Sequence, residues 1–292
     1  MSKCLSQFWR TTQFVKGYYP SFSRLSSNYG ENQMLRHSNT IKFVQHQRAW
    51  FMKKSEDAMS VPSTPSTPTS PAPEPYEIRA IKETDQEPVI SFLRKFFFKD
   101  EPLNVAVKLI EFKDSTCVEL EEFSIKSIKD GISLMAITNS GNIIGVCLNG
   151  KIDQNEPEEE EEECPNPKFS KILKLLAYAG KEGSKIIAEK YPDVEKIMFA
   201  KILSVDGAWR GKGIAKELMD RTRHIGREQG YGLMRVDCTS YFSARAIARL
   251  GFECVYELKY ADYKENGQAV FVPEHPHNAL TIYVQRISCT SP

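Results

Sequence analysis

Acidic residues are almost missing from the first 54 positions, which hold nine Lys/Arg against the single Glu31. The formal charge of +1 is therefore not a balanced surface: the rest of the chain carries 30 basic against 37 acidic residues, a balance of −7. An acidic body argues against a nucleic-acid partner and suits a cationic small molecule through electrostatic steering. Cysteine occurs seven times, at 4, 117, 147, 164, 238, 254 and 289, with no CxxC pair and no regular spacing. Such a set implies neither a disulfide framework nor a zinc site and fits a reducing compartment. No apolar run reaches the roughly 18 residues of a membrane span, and no secretory apolar core opens the chain, so no membrane partner is expected. His275-Pro-His277 is too short and lacks the further ligands a metal needs, so it reads as a loop.

The 292 residues suffice for one core of about 200 residues with disordered ends. Residues 1–54, rich in Arg, Ser and aromatics, have the composition of a mitochondrial transit peptide, or of an extension without an address. The expected location is cytoplasmic, with the mitochondrion as the alternative. Residues 55–75 form a Pro/Ser/Thr-rich linker that cannot bury enough apolar surface to order itself. From residue 76 to about 288 the pattern is globular.

Tyr76 to Lys82 alternates as a strand. A helix is expected from Asp85 through about Phe98, with Val89, Phe92 and Phe96 on one stripe, and a second helical region from Asp100 to Leu103. Leu134–Ile137 and Ile143–Leu148 read as a hairpin around Asn139-Ser-Gly-Asn142. The loop insertion 154–167 carries Glu156 and the run Glu158 to Glu163, a solvated segment or an amine-attracting rim. A helix over 168–190, an apolar strand over 196–205, a helix ending near Gly230 and a strand over 234–238 follow. Ser243 reads as the cap of a short helix through Leu250, and strands close the chain over 254–260 and 279–286. This order predicts an α/β mixed sheet of about seven strands flanked by helices.

The densest signal is Leu203-Ser-Val-Asp-Gly-Ala-Trp-Arg-Gly-Lys-Gly-Ile-Ala-Lys216, where an apolar strand meets a glycine turn and an amphipathic helix. Gly211 and Gly213 allow close backbone approach, and the first N–H groups of the helix, with its dipole, favour a diphosphate. A P-loop is excluded: three residues instead of four separate Gly207 from Gly211-Lys212, and Gly213 occupies the hydroxyl position. A dinucleotide fingerprint is excluded because Lys216 replaces its third glycine.

Arg210-Gly-Lys-Gly-Ile-Ala215 matches the R/Q-x-x-G-x-G/A signature of the GNAT superfamily of N-acetyltransferases, and Leu250-Gly-Phe252 stands where their second landmark falls. Phe97-Phe-Lys-Asp-Glu-Pro-Leu-Asn104, Thr239-Ser-Tyr-Phe-Ser-Ala-Arg245 and Tyr260-Ala-Asp-Tyr-Lys264 closely resemble the insect arylalkylamine N-acetyltransferases, also called dopamine N-acetyltransferases, over 76–288. The resemblance implies the GNAT fold, acetyl-CoA as co-substrate, no metal, and acetylation of an amine such as dopamine, tyramine, serotonin or tryptamine. Polyamines or agmatine as acceptors, longer acyl donors, a protein lysine, and coenzyme binding without turnover stay open. A monomer is the default.

An alkylamine with a pKa near 10 is protonated at neutral pH and needs a base before it can attack a thioester. Glu101 is the candidate, in agreement with the role the resemblance implies; alternatively it is an acid that complements a helix start. Backbone N–H groups around Leu203, Ser204 and Val205 can meet charge developing on the thioester oxygen. Ile247 stands where many of these enzymes place a thiolate-protonating Tyr, so another donor is needed. The resemblance assigns hydroxyl roles to Thr239 and Ser243, Thr239 standing where Ser is usual. Coenzyme contacts are expected along Leu203, Ser204, Val205, Arg210, Gly211, Lys212, Gly213, Ile214, Ala215 and Lys216, and at Ser243 and Arg245. For Arg210, Lys212 and Arg245, solvated surface charge is the alternative. Phe96, Phe97 and Phe98 offer an aromatic wall or core packing.

Overall fold

A computed structural model describes residues 74–112, 115–154 and 164–287. The basic segment 1–54, nearly all of the 55–75 linker and the glutamates at 156 and 158–163 lie outside the described residues.

The chain runs β1 (Tyr76–Ala80), α1 (Gln86–Phe96), α2 (Pro102–Ala106), α3 (Val118–Ile125), β2 (Leu134–Thr138), β3 (Ile143–Asp153), α4 (Pro167–Lys190), β4 (Lys196–Val205), α5 (Ile214–Glu228), β5 (Leu233–Cys238), α6 (Tyr241–Arg249), β6 (Glu253–Lys259), β7 (Lys264–Glu265), β8 (Gln268–Ala269) and β9 (Ala279–Arg286). Seven strands form one sheet in the order β1-β2-β3-β4-β5-β9-β6. Every neighbouring pair is antiparallel except β4 and β5. Helices cover both faces, as the alternation of strand and helix patterns predicts.

One face carries a cluster that includes Val89, Leu93, Phe98, Leu148, Phe169, Leu175, Tyr260 and Ile282. The other joins Ile144, Met198, Ile214, Leu218, Met234, Ile247 and Phe252 under α5 and α6. Two glycines set helix distances. A Cβ at Gly183 would lie 2.3 Å from Ile282 Cδ1, so α4 sits directly on β9; a Cβ at Gly145 would lie 3.0 Å from Ile214 Cγ2 and 3.2 Å from Leu218 Cδ1, so the start of α5 rests on β3.

The feature that makes a site is a parting of the two parallel strands. β4 and β5 pair from Ile197↔Leu233 to Ala200↔Val236 and no further. Beyond that point β4 stays with β3 as far as Gly145↔Val205, while β5 stays with β9 as far as Cys238↔Thr281. The register against β3 shifts between Leu148 and Asn149, which face Ile202 and Ala200, leaving Lys201 as the extra residue of a bulge. A bulge bends its strand, and this bend falls where β4 leaves β5.

Several sequence expectations are corrected. Ser240, not Ser243, caps α6: its side chain accepts from the Ser243 N–H. Ser243 is the third residue of the helix, one turn too far in to cap it. α1 stops at Phe96, because Phe97 leaves helical geometry at φ −132° and ψ −57°. α3 was not expected; its apolar residues do not share a face, Val118 being exposed and Leu120 buried. The β7/β8 hairpin, turning through Asn266 (φ 51°) and Gly267 (φ 79°), was also missed.

Candidate active site

The parted strands form one half of the site. Asp206 donates its N–H to Ile144 of β3, so the Val205 carbonyl on the same trans peptide points away from β3, and Arg210 Nε lies 3.4 Å from that oxygen. Strand alternation then puts the amides of Leu203 and Val205 on the edge facing the gap, with no strand opposite. Ser204 is buried and points to the other side, its Oγ 3.4 Å from the Phe96 carbonyl.

At the end of β4 the chain turns through Gly207–Trp209, capped by Asp206, whose carboxylate accepts from the Ala208 N–H at 2.9 Å. Gly211 (φ 78°) and Gly213 (φ 86°) then take left-handed conformations, and a Cβ on either would meet nothing within 4 Å. Conformation alone, not crowding, requires glycine there, and the space above both is open. Gly213 occupies the N-cap of α5 without a side-chain cap, so the N–H groups of Ile214, Ala215 and Lys216 have no helical acceptors.

Three exposed cations surround this turn. Lys212 Nζ rests 4.5 Å from the centre of the Trp209 ring, Lys216 pairs with Asp220 at 2.6 Å, and Arg210 reaches back to Val205. Tyr76 packs edge-on against Trp209 and donates to Glu217 at 2.8 Å, tying β1 to the turn. Donors, dipole and cations converge as a diphosphate requires. Arg245 stands apart on the exposed side of α6, donating to the Tyr241 hydroxyl at 2.8 Å.

The second half is a buried acid among hydroxyls. Pro102 opens α2 and Glu101 caps it, Oε2 accepting the Asn104 N–H at 2.8 Å. Asn104 is itself buried and donates to the Phe98 carbonyl at 2.9 Å, which fixes the turn. The residue keeps some exposure, yet Glu101 Oε1 is fully enclosed and has no hydrogen-bond partner of good geometry. Burial pushes the carboxyl above the ordinary glutamate range; the nearby Thr239 hydroxyl and the Asn104 and Leu103 amides pull the other way. Thr239 follows the last residue of β5, so its contact with Glu101 brings the acid to the open end of the gap.

Tyr260, just past β6, donates to the Thr239 carbonyl at 2.6 Å and is buried. Its phenol is held well above the usual range by burial and by the charge of Glu101. Phe271 packs on Tyr260 and Tyr263, and the Tyr241 N–H donates to His277 Nδ1 at 3.3 Å, closing the β6–β9 loop over α6. Cys238 is buried beside Ser243 and its thiol is pushed up to about 12 by burial. Ser243 Oγ lies 2.8 Å from Ser240 Oγ.

Of the three phenylalanines, Phe98 is core, while Phe96 and Phe97 are half-buried against it. Sequence reasoning named no role for Tyr260, Ser240 or Cys238, although Tyr260 and Ser240 stood in quoted motifs. Among the described residues no group of three or more His, Cys, Asp or Glu could hold a metal, and no helix is long and apolar enough to cross a membrane.

Comparisons with known proteins place this geometry. Residues 109–252 match the Acetyltransferase (GNAT) family. The chain is 38% identical to arylalkylamine N-acetyltransferase 2 from Aedes aegypti, with a TM-score of 0.67, covering 73% of this chain and 99% of that one. It is 27% identical to Drosophila melanogaster polyamine N-acetyltransferase, an enzyme that catalyses the formation of N-acetylagmatine, with a TM-score of 0.64 over 73% of this chain and 100% of that one. A mosquito arylalkylamine N-acetyltransferase like 5b gives 25% identity and a TM-score of 0.65, over 73% of this chain and 100% of its own.

Proposed function

Because the chain belongs to the GNAT-superfamily arylalkylamine/polyamine N-acetyltransferase family, and is an acyltransferase that uses acetyl-CoA and an amine acceptor, we propose that its acceptor is an arylalkylamine of the dopamine, tyramine, serotonin or tryptamine kind. The observation that carries the acceptor chemistry is the enclosed Oε1 of Glu101, which has no hydrogen bond of good geometry. A buried acceptor left unpaired costs about 1–3 kcal/mol, a cost that an incoming ammonium relieves.

In this reading Glu101 attracts the ammonium and takes one of its protons, burial having made it more basic than an ordinary glutamate. Leu203 and Val205 amides stabilise charge on the thioester oxygen. The α5 amides with Arg210, Lys212 and Lys216 hold the diphosphate arm, and Gly211 and Gly213 admit it. Arg245 adds a phosphate contact by leaving Tyr241. Thr239 orients Glu101, while Ser243 faces the departing sulfur. Burial pushes the Cys238 thiol up to about 12, which disfavours the thiolate an acyl carrier needs, and in this reading the amine attacks the thioester directly.

Two features favour an aromatic monoamine over a polyamine or agmatine. A second cation needs its own carboxylate, yet Asp237, which precedes Cys238 at the end of β5, is bound at both oxygens by Arg235, at 2.7 and 2.8 Å. Exposed apolar side chains also stand next to residues of the site in the chain: Phe242, beside Ser243, is 64% exposed and Val272, beside Phe271, 79%, and Phe242 is held edge-on by His277 at 5.5 Å. Thiol release from acetyl-CoA tests the proposal. It is expected to depend on tyramine and to give converging initial-velocity lines; parallel lines, which mark an acyl-enzyme, or release without an amine would contradict it.

A further inference from the structure

The hydroxyl that Ser243 meets is that of Ser240. The two Oγ atoms lie 2.8 Å apart, while Thr239 turns toward Glu101. Ser240 Oγ also accepts the Ser243 N–H at 3.0 Å, and Ser243 Oγ lies 2.9 Å from the Ser240 carbonyl. A hydroxyl has one proton and two lone pairs, so the bonds can be counted. Ser240 Oγ already receives an N–H, which favours its own proton going to Ser243 Oγ. The Ser243 proton then has three destinations: the Ser240 carbonyl, the Cys238 sulfur beside it, or the open side of the helix start. Accepting a hydrogen bond strengthens a hydroxyl as a donor, so Ser240 improves Ser243 in the third arrangement.

We propose that Ser240 is a positioning residue for acyl transfer: by capping α6 and donating to Ser243 Oγ, it aims the Ser243 hydroxyl at the sulfur that leaves the thioester. The inference rests on the acetyltransferase reading above. In the step it serves, the amine nitrogen forms the C–N bond and the C–S bond breaks with its electron pair on sulfur. Of the two protons the ammonium loses, one goes to Glu101 and one ends on sulfur. Ser243 keeps its own proton and contributes a hydrogen bond to the thiolate.

Two substitutions separate capping from donation. Ser240→Thr keeps both, whereas Ser240→Gly is nearly as good an N-cap and has no side-chain donor. Steady-state thiol release with tyramine, together with melting temperatures, is measured for both variants, alone and combined with Ser243→Ala. The expected result is a nearly unchanged melting temperature in both, near wild-type kcat for Ser240→Thr, and kcat lowered about tenfold, the worth of one hydrogen bond, with unchanged KM for Ser240→Gly. Added to Ser243→Ala, the Gly change is expected to do nothing further. A wild-type kcat in Ser240→Gly, or losses that multiply in the double variant, would overturn the inference while leaving the acetyltransferase reading intact. A wild-type protein that releases no thiol with any amine would overturn both.

Discussion

Replacing Glu101 by Gln removes a charge and a base while keeping the shape of the side chain and an oxygen for the Asn104 N–H. An alkylamine of pKa about 10 is free base to roughly one part in a thousand at pH 7. A positioned base supplies about 10²–10⁴-fold, and what the variant loses is bounded by how much free amine solvent already provides. The expected kcat/KM for tyramine therefore falls about 10²- to 10³-fold at pH 7. That deficit narrows by about tenfold per unit as pH rises toward 9, because the amine then arrives deprotonated. Stability moves the other way. Burial raises the Glu101 pKa, so any stability linked to its protonated form is present below the unfolded value and lost as pH rises through the folded one. Burial disfavours the ionised carboxylate, so Glu101→Gln, which has no charge to bury, is expected to melt no lower than wild type. A thiol-release pH profile beside a thermal melt reads both. Wild-type turnover at pH 7, or a deficit constant from pH 6 to 9, would refute the assignment of Glu101 as base.

Phe242→Ala is expected to lower kcat/KM for tyramine and tryptamine about tenfold, the value of a buried aromatic contact, while leaving agmatine, spermidine and the KM for acetyl-CoA unchanged; steady-state kinetics over that panel checks it. Gly145→Val pushes against Ile214 and Leu218 beneath the start of α5, and is expected to raise the dissociation constant for coenzyme A in calorimetry and to cost about 1–3 kcal/mol in denaturant unfolding. Lys201, half-buried with its ammonium over the Phe123 ring, is lowered to about 7 by burial and by Lys126. The folded state thus sheds this proton more readily than the unfolded one, and stability falls as pH drops from about 10 through about 7. Lys201→Met is expected to flatten that slope in denaturant midpoints compared at pH 6 and 9.

What the sequence made legible followed from local physics. The strand, glycine turn and helix of 203–216 were readable because backbone conformation, unpaired amides and an amphipathic stripe all reside within one short stretch. Glu101 was readable as an acid beside Pro102 at a helix start, and the structure shows it capping α2 in that position. Its burial was not legible, because the residues that enclose it, Thr239 and Tyr260, arrive from the far side of the sheet. The parting of β4 from β5 was hidden for the same reason: it depends on which strand each edge follows, and on the extra residue Lys201. The cap of α6 was misplaced by three residues because both Ser240 and Ser243 are good caps, and only the turn after Cys238 decides between them. The Asn266-Gly267 turn was a local signal that went unused.

The most direct test of the substrate assignment is a competition in which the full chain receives acetyl-CoA with equal concentrations of tyramine and agmatine, and the acetylated products are weighed by mass spectrometry. N-acetyltyramine is expected to dominate, in the ratio of the two kcat/KM values. N-acetylagmatine as the main product would contradict the account, in which Glu101 takes the one ammonium and Asp237 is already paired with Arg235.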